Sequence, residues 1–155
     1  MEEYETLIEK AYKEAKLADY MSYVTSKLIK DKKLLISVLD HINKSFMLSI
    51  NAYLARERLY RRVPPVPKEP SLLIEMFFEQ CSQNLNIEKS LKQVMLKINK
   101  AVSAYDERGM LLQRTDKYVF IGSDYELIDL KPDDVKTWLK QNIKFVNDLK
   151  EGLKA

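Results

Sequence analysis

The stretch Lys32–Arg62, KKLLISVLDHINKSFMLSINAYLARERLYRR, decides how the rest of the chain is read. It holds neither glycine nor proline, and its apolar residues fall on two adjoining helical faces. Leu35, Leu39, Ile42, Phe46 and Tyr53 mark one; Leu34, Val38, Leu48, Ala52 and Ala55 mark the other. So wide an apolar surface belongs to a helix covered from several sides, the central member of a bundle. Asp31 is the expected N-cap, or a kink, before it. Pro64, Pro65 and Pro67 should stop the helix near Arg62, because proline lacks the backbone N–H and clashes with the preceding turn.

Working outward, a row spaced by fours and threes runs Tyr4, Ile8, Ala11, Ala15, Ala18, Ser22, Thr25, Ile29, and predicts a first helix over about 3–30. The small residues in its middle allow a neighbour to approach closely. Beyond the prolines, Ser71 is expected to cap a helix over about 71–84. Asn86 is expected to cap the next, over about 87–108, on the row Ile87, Leu91, Val94, Ile98, Ala101, Tyr105, with Gly109 closing it. The segment DKYVFIGSDYELIDL alternates β-branched and aromatic residues about Gly122-Ser123-Asp124 and predicts a hairpin over about 117–129. Pro132, Asp133 and Asp134 open a last helix to about Gly152, with Val135, Leu139, Val146 and Leu149 inward and Trp138 and Phe145 beside them. The expected fold is mainly α: one domain over 1–155, an up-and-down bundle of four to five helices with a small β-hairpin before the last.

With 155 residues and 46% apolar composition, the chain can bury a core without metal or disulfide staples. The net charge of +3, with both signs interspersed, gives no global field for nucleic acid or membrane. The acidic, amphipathic start MEEYETLIEKAYKEA has neither the basic nor the apolar region of a secretory signal, and LLIEMFF is too short to span a bilayer. A single cysteine, Cys81, fits a reducing cytoplasm and reads as a small buried hydrophobe.

Residues able to do chemistry are few. His41 is the lone histidine, and its helical face (Leu34, Val38, Ser45, Leu48) predicts a hydrogen-bonded core residue; with nearby tyrosines it also suggests a small-molecule pocket. Asp40 and Ser45 do not complete a triad, since successive helix residues point about 100° apart. Glu75 and Glu79 share a face but lack further ligands, and the three glycines stand too far apart to cradle phosphate, so neither metal nor cofactor is expected. The remaining candidate is the arginine cluster. Arg58 shares a helical face with Arg61 and Arg62, with Arg56 nearly opposite; with Tyr60 they offer phosphate contacts and a stacking ring for RNA. The same residues suit a helix end, where Glu57 pairs with Arg61 and cations complement the dipole.

The segment from Lys16 to Pro67, with its Ala-, Asp- and Tyr-rich lead, KDKKLL, terminal ERL and PP turn, resembles a family of archaeal helical proteins, and SDYELIDL with VKTWL resembles its C-terminal region. The resemblance implies a bundle similar to the HEPN class (higher eukaryotes and prokaryotes nucleotide-binding domain), whose members pair as dimers and act in RNA cleavage or as partners of small nucleotidyltransferases. The ribonuclease members carry an arginine, four to six residues and a histidine on one helix. No arginine precedes His41 here, so no catalytic residue carries over. The expectation is therefore a cytoplasmic, non-enzymatic, homodimeric interaction module, with RNA binding or processing through Arg58, Arg61 and Arg62 as the alternative.

Overall fold

A computed structural model describes residues 2–24, 32–106, 109–114 and 117–154. Among them are α1 (Glu3–Val24), α2 (Lys32–Leu59), α3 (Pro70–Gln80), a 3-10 turn (Ser82–Leu85), α4 (Ser90–Asp106), strands β1 (Met110–Gln113), β2 (Tyr118–Ile121) and β3 (Leu127–Leu130), and α5 (Pro132–Lys154). The architecture is a helical bundle with a small antiparallel sheet before the last helix.

The long helix α2 is the axis, and Leu35, Leu39, Ile42, Phe46 and Tyr53 are all buried. Its neighbour α1 runs antiparallel to it, since Ser37 meets Met21, His41 meets Glu14 and Ser45 meets Ala11. Ile8, Ala11, Ala15 and Ala18 form the buried seam, and the alanines let the two backbones come close enough for a side chain on one helix to bond a carbonyl on the other. Helix α5 lies parallel to α2: Phe145 packs edge-on against Phe46, and Gly152 accepts from Arg56 further along. Phe77 of α3 joins both, at 6.0 Å from Tyr53 and 5.5 Å from Phe145, geometries favoured by the ring quadrupole.

Several boundaries differ from the sequence reading, each for a local reason. The expected end of the first helix, with Thr25, Ile29 and the Asp31 cap, lies outside the described residues, as do 107 and 108. The second helix stops at Leu59, not Arg62, because Arg61 takes a left-handed conformation (φ 56°). Pro70, not Ser71, begins α3: Glu69 holds the cap position and its carbonyl accepts from Leu73, while the Ser71 hydroxyl bonds the Glu69 carboxylate at 3.3 Å. That helix ends at Gln80, and the chain tightens into the 3-10 turn. Asn86 is left-handed (φ 56°) and terminates that turn, so α4 starts only at Ser90. Helix α5 continues through Gly152 to Lys154. Its start behaves as read, the Asp134 carboxylate accepting from Lys131 N–H at 2.8 Å, as in a capping box.

The sheet has three strands in the order β1-β2-β3, one more than the expected hairpin. Gly109 precedes β1, and its N–H bonds Ala104 O at 2.8 Å, so a Cβ there would lie 2.2 Å from that carbonyl and 2.6 Å from Ile121 O. Only glycine fits. Alternation divides the sheet cleanly: Leu111, Tyr118, Phe120, Ile128 and Leu130 face the core, whereas Met110, Leu112, Val119, Ile121, Leu127 and Asp129 face away.

Candidate functional site

The arginine-rich end of α2 is built around a buried ion pair. Arg56, 7% exposed, points into the bundle, as its position opposite Arg58 predicts. Its guanidinium donates to Gly152 O at 2.9 Å, near the negative end of the α5 dipole, contacts the Glu57 carboxylate at 3.3 Å and lies 5.2 Å from the Tyr53 ring. Glu57 is 5% exposed and is shared with Arg62 at 3.3 Å.

The helix end explains the sharing. Arg62 N–H bonds Glu57 O and Arg61 N–H bonds Arg58 O, the two hydrogen bonds of a Schellman motif with Arg61 where glycine is usual. This fold-back carries Arg61 away from Glu57 and brings Arg62 over it. The expected Glu57–Arg61 pair is therefore replaced by Glu57–Arg56 and Glu57–Arg62. Arg58 donates to Val63 O at 3.2 Å, tying the start of the proline segment to the helix. Exposed beyond these links are Arg58, Arg61, Arg62 and Tyr60, the last 57% exposed with the Arg62 guanidinium 5.0 Å above its ring.

His41 lies at the α1–α2 boundary, half-buried, with Nδ1 against Glu14 Oε2. The helical spacing predicted a hydrogen-bonded histidine but not this partner, which lies 27 residues away; Glu14 reaches it because it adjoins the buried Ala15. Asp40 instead pairs with Lys44 at 3.1 Å. Ser45 is fully buried. Its hydroxyl donates to Ala11 O at 2.8 Å and accepts from Asn142 Nδ2 at 3.0 Å, linking α1, α2 and α5. Those commitments leave Ser45 without a role as a nucleophile activated by His41.

Cys81 is buried, and burial, with the nearby Glu57 charge, pushes its thiol up to about 11, far from reactive-thiolate behaviour. Glu75 pairs with Lys92 at 2.7 Å, and among the described residues no group of three or more acidic, histidine or cysteine side chains could hold a metal ion. Nor is any helix among them long and apolar enough to cross a membrane.

The largest of the described clefts, about 740 Å³, lies between α4 and β3; smaller ones are lined by Ile87 and Asp148, Tyr4 and Lys154, and Arg58 and Val66. His41 lines none of these four. Comparison of the chain with protein-family models, curated proteins and solved structures finds no match.

Proposed function

We propose that this chain is a non-enzymatic interaction module of the cytoplasm that works as a homodimer. The observation that carries the reading is the outward face of the sheet. In register across three strands stand Met110, Ile121 and Leu127, and beside them Leu112 and Val119, with Met110 59% and Leu127 67% exposed. A contiguous exposed apolar patch marks an interaction surface, and a two-fold axis lets the same patch cover itself. Support also comes from the side chains able to do chemistry: Ser45 and His41 are engaged in links between helices.

Apolar stripes on α4 and α5 offer less for such pairing, because Val135, Leu139, Val146 and Leu149 of α5 and Leu91, Ile98 and Ala101 of α4 are buried, with Val94 half-buried and Tyr105 exposed. Five side chains cover well under the roughly 800 Å² per partner of a standard complex, so association is expected in the micromolar range. Gel filtration with light scattering should show a dimer that Met110→Lys/Val119→Lys converts to a monomer. A wild-type chain that stays monomeric at high micromolar concentration removes the reading.

A second reading, RNA binding, rests on the exposed Tyr60 with Arg58, Arg61 and Arg62, and is the one the HEPN resemblance implies. Three phosphate contacts would give a log–log salt slope of about −2 on a single strand, lost when the three arginines become alanine. Unchanged affinity in that triple variant refutes the site.

A further inference from the structure

The sheet ends on an open edge that faces the 740 Å³ groove. Gly122 N–H bonds Glu126 O at 2.9 Å, which fixes the phase of the β2–β3 ladder. With Phe120 opposite Ile128 and Tyr118 opposite Leu130, these pairs exchange the hydrogen bonds. The N–H and C=O groups of Leu127 and Asp129 therefore point away from β2, two residues apart, the repeat at which an added strand offers its own. Both residues are exposed and line the groove. Its opposite wall is α4, where Leu96, Lys100 and Ser103 stand on successive turns beside Lys97.

Charge selects the occupant. Lys100 meets Glu126, and Asp129 meets Lys117 at 3.5 Å. Lys97 lies 5.9 Å from the Trp138 ring and, among the described residues, pairs with no carboxylate. A second copy added edge to edge would bring both α4 walls together and set Lys97 and Lys100 against their equivalents, an unfavourable juxtaposition. An acidic segment instead supplies counter-charge, with an apolar side chain for Leu96.

From this juxtaposition of free edge and the Lys97 ammonium, we propose that β3 accepts an extended acidic peptide as a fourth strand, hydrogen-bonded to Leu127 and Asp129, with a carboxylate at Lys97. The proposal names a partner for the interaction module and rests on that reading, but it uses the backbone edge of β3, whereas the dimer uses outward side chains, Leu127 lending its backbone to the one and its side chain to the other.

The test is selection of a random twelve-residue peptide library, displayed on phage, against the full chain. Enriched peptides should alternate acidic or β-branched residues, and their binding should protect the amides of Leu127 and Asp129 from hydrogen exchange. Leu127→Pro removes one outward N–H without touching the β2 ladder, a place where an edge strand tolerates proline, and should weaken binding at least about tenfold. Should that variant fail to fold by circular dichroism, Lys97→Glu carries the test with the same expected loss. No enrichment, enrichment without acids, affinity unchanged in the folded variants, or equal displacement by single-stranded RNA overturns the proposal. Light scattering of Met110→Lys/Val119→Lys tests the dimer separately, so either idea can fail alone.

Discussion

The junction of α1, α2 and α5 and the three-stranded sheet treat their surfaces in opposite ways. In the bundle, polar groups are turned inward and paired: Arg56 with Glu57, Ser45 with Ala11 and Asn142. In the sheet, apolar groups are turned outward and a strand edge is left open. Inward polar groups fix how helices dock; outward apolar groups need something from outside. On the proposed reading, stability rests in the bundle and recognition in the sheet.

The strongest way to break that division is Glu57→Ala. It leaves the Arg56 guanidinium buried without its carboxylate and releases Arg62, and removing one partner of a buried pair costs about 3–5 kcal/mol. Urea unfolding should show the midpoint fall accordingly. Arg56→Met with Glu57→Leu should recover most of the loss, since an apolar replacement of the pair has no charge left to desolvate. If Glu57→Ala unfolds like wild type, the carboxylate is not needed to hold the Arg56 guanidinium against Gly152 O of α5.

Next in size is Ser45→Ala, which leaves the buried Asn142 amide without its acceptor, the Ala11 carbonyl keeping its place in the helix ladder, and should cost about 1–3 kcal/mol. An Asn142→Leu background should reduce that cost, because the stranded amide is then absent. Additive effects would show that the two residues do not act together.

The two regions also differ in how far the sequence discloses them. Long segments free of glycine and proline, with alternating four- and three-residue spacing, make the helices of the bundle legible, and the burial of Ala11, Ala15 and Ala18 follows that spacing. Ends are less legible because they turn on single dihedrals: Arg61 and Asn86 adopt left-handed conformations that their neighbours do not announce. Strand β1 is hidden because MLLQ has no β-branched residue and pairs only through its tertiary neighbour β2. At the candidate site, Arg56 opposite Arg58 follows from helical geometry alone. The links Glu14–His41 and Ser45–Asn142 join residues 27 and 97 apart, and no local pattern encodes such a pairing.

The smallest effect concerns those left-handed residues, one in each region. Arg61 (φ 56°) ends α2, and Tyr125 (φ 65°) sits where the hairpin turn, closed by Tyr125 N–H to Gly122 O, usually places glycine. Glycine meets no Cβ penalty in that conformation but gains freedom when unfolded, so each substitution should add up to about 1 kcal/mol of stability. Arg61→Gly should raise the melting temperature without changing oligomeric state. Tyr125→Gly should also raise the melting temperature, but it deletes a ring that is 86% exposed at the sheet's tip. If the division between regions holds, only the second substitution alters association, and a change in the dimer on Arg61→Gly would place recognition at the end of α2 instead.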